Sequence, residues 1–208
     1  MKLFFVRHAQ TEWNKIKKFQ GQLDSRLTEE GIKQTISLKN EMYKYDFSQI
    51  FSSPLGRAVE TSNLLKKETT NLILVDDLKE MSFGDIEGMK KDDIQIKYPK
   101  LLNNLWNNTL EYNPSYFNGE TYEELEIRAR RALDLIIKEN KNSLIVTHGV
   151  ILKVLFKIIK NKSWKDMEKE AFLHNTSITT INYEKGKFTI EDFSNIDHLK
   201  DFNLETFV

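Results

Sequence analysis

Residues 2–8 read KLFFVRH. Leu3 to Val6 form a short apolar run without polar alternation, which predicts a buried strand over residues 2–6. The run ends abruptly in Arg7 and His8, so one strand delivers a cation and a titratable ring side by side at its carboxyl end. Similar segments recur downstream. Residues 49–53 form a second short strand, stopped by Pro54. Leu72 to Val75 form a third, and Ser143 to Thr147 a fourth that runs into His148-Gly149.

Helical spacing fills the intervals. Residues 28–43 open on Thr28 as N-cap, with Glu29 and Glu30 at the positive end of the predicted helix. Residues 56–68 carry Val59, Leu64 and Leu65 at helical spacing, and residues 120–138 carry Leu125, Ile127, Ala129, Ala132, Leu133, Ile136 and Ile137. A very apolar helix follows Gly149 to about residue 160. Ser177 to Tyr183 and Lys187 to Asp192 alternate about Lys185-Gly186, which predicts a hairpin. Strands alternating with helices predict an α/β layered fold with a mostly parallel sheet. In such sheets ligands bind beyond the carboxyl ends of the strands, so Arg7-His8, Ser53-Pro54 and His148-Gly149 should converge on one crevice. Residues 88–118 differ: they are rich in Asn and Lys and hold Pro99 and Pro114 with Trp106, Tyr112, Tyr116 and Phe117. They read as a cap-like insertion over the sheet edge, part helix and part loop. Trp106 is expected in the small core that anchors this insertion; the other three aromatics could anchor it or line a pocket.

Composition narrows the function. The 208 residues are 39% hydrophobic and 30% charged, enough for a sizeable core and one compact unit with an insertion. Lys plus Arg and Asp plus Glu both number 31, so the chain lacks the basic excess expected of a nucleic-acid binder, and any pull on an anion must be local. Absence of cysteine excludes disulfide and thiolate chemistry. The apolar run at residues 3–6 is too short for a membrane span or a signal-peptide core, so no membrane partner and a cytoplasmic location are expected.

Arg57 lies just inside the helix after the second strand, and Glu80 follows the third. Two arginines and two histidines at one crevice suit a phosphate group: guanidinium forks match its oxygens, and helix N-termini add backbone donors. A neutral imidazole can attack phosphorus, and a nearby carboxyl can protonate a leaving alcohol. Each residue alone has a plainer reading. Arg7 would be an ion-pair partner, His8 a structural histidine, and His148 a strand end; only their joint placement points to chemistry. A two-histidine metal site is disfavoured because Arg7 precedes His8 and repels a cation. Arg26 reads as a surface or salt-bridge residue, Glu87 as a support for the loop bearing Glu80, and His174 and His198 as non-catalytic.

These stretches together resemble the histidine phosphatase superfamily in its phosphoglycerate mutase-like branch. The matching segments are RHAQTEWN (7–14), FQGQLDSRLTEEG (19–31), SSPLGRAVETS (52–62), LKEMSFGDIEG (78–88), GETYEEL (119–125) and VTHGVILK (146–153), with NTSIT (175–179) a weaker one. The resemblance implies a three-layer α/β/α sandwich and a single domain over residues 1–208. It implies that His8 is a nucleophile forming phosphohistidine, that Arg7, Arg57 and His148 surround the phosphoryl group, and that Glu80 is the proton donor. Asn14, Gln20 and Gly21 become further substrate contacts, and no metal or cofactor is required. One departure stands out: the family's commonest opening is Arg-His-Gly-Glu, whereas here it is Arg-His-Ala-Gln. Loss of a carboxylate at Gln10 should make the site more welcoming to dianions. The expected activity is hydrolysis of a small phosphorylated metabolite, since the segment from Gly88 to Gly119 is short and only mildly basic for the enclosing lid of a mutase. A bisphosphoglycerate-dependent mutase and an inactive phospho-ligand binder are the alternatives; a homodimer is left open.

Overall fold

Alternation within one central strand sorts the molecule into layers. The computed structural model describes residues 1–169 and 172–202. In β1 (Lys2–Arg7), Leu3 and Phe5 face one side of the sheet. There they meet α6 (Tyr122–Lys138) and α7 (Gly149–Ile159). Phe4 and Val6 face the other side and meet α2 (Glu29–Met42) and α3 (Gly56–Leu65). A strand whose alternate side chains enter two separate cores must be apolar throughout, which is why KLFFV shows no alternation. The fold is therefore the expected three-layer α/β/α arrangement.

The sheet runs β3-β2-β4-β1-β5-β6. β1, β2 (Gln49–Ser52), β3 (Asn71–Leu74) and β4 (Ser143–Thr147) are mutually parallel. β5 (Ile178–Glu184) pairs antiparallel with β1, and β6 (Lys187–Asn195) antiparallel with β5. Lys185 and Gly186 both take positive φ, the conformation a two-residue hairpin turn needs. β1 and β4 lie side by side, yet the helix after β1 packs on one face and the helix after β4 on the other. A crevice opens between their carboxyl ends at that reversal.

Two helical faces differ from the sequence expectation. In α6 the buried positions are Tyr122, Leu125, Ala129, Ala132, Leu133 and Ile136, whereas Ile127 is 58% exposed. Ile127 lies two residues beyond Leu125 and so falls off the 3.6-residue stripe. In α3 the buried face is Arg57, Ala58, Thr61, Ser62 and Leu65 rather than Val59 and Leu64. Its hydroxyls have local partners: Thr61 donates to the Arg57 carbonyl and accepts from the Ala9 N–H, and Ser62 donates to the Ala58 carbonyl. Small polar residues let this helix approach the turn after His8 closely.

The 88–118 segment folds into α4 (Lys91–Lys97), α5 (Leu101–Asn107) and two tight turns. Ile94, Leu102, Leu105, Tyr112 and Phe117 form its buried underside, while Tyr116 is exposed. Tyr122 donates from its hydroxyl to the Leu105 carbonyl at 2.6 Å, tying α6 to α5. Two further short helices, α1 (Glu12–Lys15) and α8 (Trp164–Met167), complete the described elements. Phe117 packs between Tyr98 and Tyr112 with almost no exposed surface. Phe117→Ala should therefore cost about 3–5 kcal/mol, the range for emptying a buried aromatic site. Urea unfolding checks this, and a loss under about 1 kcal/mol would show that the segment is not anchored there.

Candidate active site

The His8 ring is held at both nitrogens. Its Nδ1 lies 2.7 Å from the Ala9 carbonyl, and its Nε2 lies 3.3 Å from Nε of Arg57. A guanidinium only donates, so Nε2 must present its lone pair and Nδ1 must carry the proton. The turn is braced from several sides: Thr61 accepts the Ala9 N–H, Asn175 donates to the His8 carbonyl at 2.8 Å, and the Thr176 N–H donates to the Arg7 carbonyl. Burial and the charges of Arg57 and Arg7 hold the His8 imidazole well below its usual value, so the ring is neutral at physiological pH.

Arg57 uses four of its five N–H donors within the protein. Besides His8, it donates to the Gly21 carbonyl (2.7 Å), the Leu23 carbonyl (2.7 Å) and Asp24 Oδ1 (3.1 Å). Gly21 takes φ +53°, and an added Cβ there would fall 2.0 Å from Glu87 Oε1, so the loop needs glycine. Glu87 accepts from the N–H groups of Gln22, Leu23 and Phe83. It thus supports the loop that grips Arg57, as well as the segment just beyond Glu80. Arg7 donates to the Leu173 carbonyl at 2.5 Å and lies 5.3 Å over the Phe172 ring. Burial brings its pKa down to about 10, countered by Glu80, so it stays cationic at neutral pH.

His148 is fully buried, 5.0 Å from His8 ring to ring. Its Nε2 lies 2.7 Å from Ser53 Oγ. Two polar atoms of this cluster, Arg7 Nε and His148 Nδ1, are buried without a hydrogen-bond partner. Buried polar atoms are rarely left so unless water, an ion or a ligand supplies the partner. Glu80 caps α7: Oε2 accepts from the Val150 N–H, and Oε1 from the N–H groups of Ile151 and Met81.

A pocket of about 240 Å³ opens here. Arg7, His8, Asn14, Gln20, Gly21, Arg57 and Glu80 line it, so seven of the eight sequence-predicted residues share one wall; His148 stands behind His8. Asn14 Oδ1 accepts from the Thr11 N–H, and Gln20 Oε1 from the Ser25 hydroxyl. One expectation needs correction and one needs extension. Gln10 does not line the pocket: its side-chain oxygen accepts from the hydroxyl of Thr28, the N-cap of α2, at 2.8 Å. Trp106 is half-buried and lines the pocket, because it is turned about 100° around α5 from the buried Leu105. Trp106 also packs against the core as expected, where Tyr112 and Phe117 are the more deeply buried aromatics. Arg26 is exposed, and neither His174 nor His198 lines the pocket. The sequence reading missed Lys18, Phe83, Lys153, Glu168 and Phe172 in the wall: Lys18, Glu168 and Phe172 lie outside the matching segments, and Phe83 and Lys153 lie within them without a side chain that marks a chemical role.

The sequence pattern of the histidine phosphatase superfamily (branch 1) matches residues 3–196. The chain belongs to that superfamily. Among its relatives, the "Probable phosphoglycerate mutase GpmB" of Erwinia tasmaniensis is 29% identical over 99% of this chain and 98% of its own. The "Metal-independent phosphoserine phosphatase" of Arabidopsis thaliana is 29% identical over 95% of this chain and 82% of its own. The solved structure of Bacillus stearothermophilus YhfR, at 29% identity, superposes with a TM-score of 0.90 over 96% of this chain and 99% of that one. Among the described residues, no helix is long and apolar enough to cross a membrane, and no group of three or more His, Asp or Glu side chains is placed to hold a metal ion.

The buried histidines of this histidine phosphatase superfamily chain carry a consequence for stability. His148, like His8, is held well below 6.5, first by burial and then by Arg57. Unfolded, both rings take up protons near 6.5; folded, they do not until far lower. Below that pH the unfolded state binds more protons, so stability falls with pH, by up to about 1.4 kcal/mol per histidine for each unit. Urea midpoints at pH 7.5 and 5.5 should show the loss, and it should shrink in His148→Gln. An unchanged slope in that variant would remove His148 as a contributor.

Proposed function

We propose that the protein is a metal-independent phosphatase hydrolysing small phosphate monoesters through a phosphohistidine on His8. One observation carries the reading: the Nε2 lone pair of His8 is directed at a guanidinium, beside two buried and unpartnered polar atoms, Arg7 Nε and His148 Nδ1. A phosphoryl group supplies what this cluster lacks. Its oxygens accept from Arg7 Nε and share the Arg57 fork. With Ser53 donating to Nε2, His148 carries its proton on Nδ1 and donates there as well.

In the first step His8 Nε2 attacks phosphorus and the bond to the ester oxygen breaks. Glu80, holding a proton, passes it to the departing oxygen, so an alcohol leaves. In the second step water attacks the phosphohistidine. Glu80, now a carboxylate, takes the water's proton, the N–P bond breaks, and inorganic phosphate departs with Glu80 again protonated. Arg7 and Arg57 stabilise the charge on the equatorial oxygens throughout, the part that Mg²⁺ plays in many phosphoryl-transfer sites. A small phosphorylated metabolite is the substrate class that suits a pocket of about 240 Å³.

The likeness to a relative named as a phosphoglycerate mutase supports a second reading, a bisphosphoglycerate-dependent mutase. Residues 88–118 supply only Trp106 and Asn107 to the pocket wall, which favours the hydrolase, because a mutase must exclude water from its phosphoenzyme.

Wild type should hydrolyse p-nitrophenyl phosphate in excess EDTA, and His8→Ala should lose at least about a hundredfold in kcat. Isomerisation of 3-phosphoglycerate without hydrolysis would establish the mutase instead. The acid limb of kcat/KM should have its midpoint below pH 6.5, because His8 is held below that value. A midpoint at or above 6.5 would argue against His8 as the titrating nucleophile.

A further inference from the structure

Resting on the assignment of Glu80 as proton donor, the structure assigns a role to Arg128: we infer that it is a positioning residue for Glu80, acting with Glu120 as a clamp on the backbone either side of it. Arg128 sits on the second turn of α6, with its side chain 11% exposed. All five of its N–H donors are used. Nε donates to Glu120 Oε1 (2.6 Å), and one terminal nitrogen to the carbonyls of Asp77 (3.0 Å) and Lys79 (2.5 Å). The other donates to the Glu80 carbonyl (2.9 Å) and Glu120 Oε2 (2.8 Å).

Three of those acceptors are backbone carbonyls within four residues. The remaining one, that of Leu78, is taken by the Thr147 hydroxyl at 2.6 Å. Gln22 adds a second donor to the Glu80 carbonyl. Every carbonyl from Asp77 to Glu80 is therefore bonded, although the segment lies in no strand or α-helix. Glu120 holds the far side: its Oε2 accepts from the Ser82 N–H, and its own N–H donates to the Ser82 carbonyl. Main-chain freedom is removed on both sides of Glu80.

That rigidity has a chemical purpose. A proton donor must keep its carboxyl within hydrogen-bond reach of one oxygen of the bound ester, and a displacement of about 1 Å is costly. Nothing in Arg128 lines the pocket, so it acts through Glu80 and not on substrate. Lysine cannot replace it, because an ammonium ion has three donors and no planar fork.

The test compares kcat for p-nitrophenyl phosphate, whose leaving group departs with little help from an acid, and for glycerol phosphate, whose alkoxide needs protonation. Wild type, Glu80→Gln, Arg128→Ala, Arg128→Lys and Glu120→Gln are measured together. Glu80→Gln should lose about a hundredfold on glycerol phosphate and far less on the aryl ester. Arg128→Ala and Arg128→Lys should show the same selectivity, with at least about a tenfold loss on glycerol phosphate against less than about threefold on the aryl ester. Adding Arg128→Ala to Glu80→Gln should bring no further selective loss. If Arg128→Ala does not fold, Arg128→Lys and Glu120→Gln decide, and both should be selective. Equal losses on the two esters, or no loss, in the Arg128 and Glu120 variants while Glu80→Gln stays selective would overturn the clamp alone. Equal losses in Glu80→Gln would overturn the proton-donor assignment and the clamp with it.

Discussion

Two guanidinium ions buried within reach of each other's charge are the constraint around which this protein is arranged. Arg7 and Arg57 each lower the other's proton affinity or that of the imidazoles beside them, and burial adds to the penalty. Removing such charges from water is expensive unless they are paired and hydrogen-bonded. The surroundings of Arg57 meet that demand with two loop carbonyls, Asp24 and His8. Arg7 receives less: the Leu173 carbonyl, the face of Phe172 and the charge of Glu80. The deficit left at Arg7 Nε and His148 Nδ1 is where an incoming anion gains most.

A second layer of residues follows from this demand. Carbonyls can be pointed at a guanidinium only if the loops bearing them are fixed. Glu87 fixes the loop at residues 21–23 through the N–H groups of Gln22 and Leu23 and ties it to Phe83 N–H, and Gly21 permits the loop's positive φ. Glu120 and Arg128 fix the chain around Glu80 in the same manner. Asn175 and Thr176 fix the backbone of His8 and Arg7 from the opposite direction. The reactive groups are thus few, and much of the polar network exists to hold main chain.

The fold could be read from the sequence because β1 alone reports burial on both faces, and the helices between strands carry clear periodicity. The site could be read because Arg7, His8, Ser53 and His148 stand at strand ends, where topology forces them together. Other features were hidden for physical reasons. Thr61 and Ser62 look like surface residues in a helix; they are buried because their hydroxyls bond locally and let α3 approach closely. The position of Gln10 two residues after His8 suggested an electrostatic part, but its amide turns to accept from Thr28, the N-cap of α2. Arg128 lies outside the matching segments, and nothing in GETYEEL marks Glu120 as its partner, since the two together grip backbone atoms about 40 to 50 residues away. Trp106 shows how one step along a helix, about 100°, turns a side chain from the buried core toward the pocket wall.

The place of β1 in the sheet bears on how the chain reaches its native state. β1 lies between β4 and β5, so its nearest parallel partner is made some 140 residues later. At the usual pace of synthesis an apolar strand that runs into Arg7 and His8 waits on the order of ten seconds or more for that partner. The chain therefore closes the crevice only after β4 has emerged, and until then residues 2–7 lack the parallel strand that pairs with them.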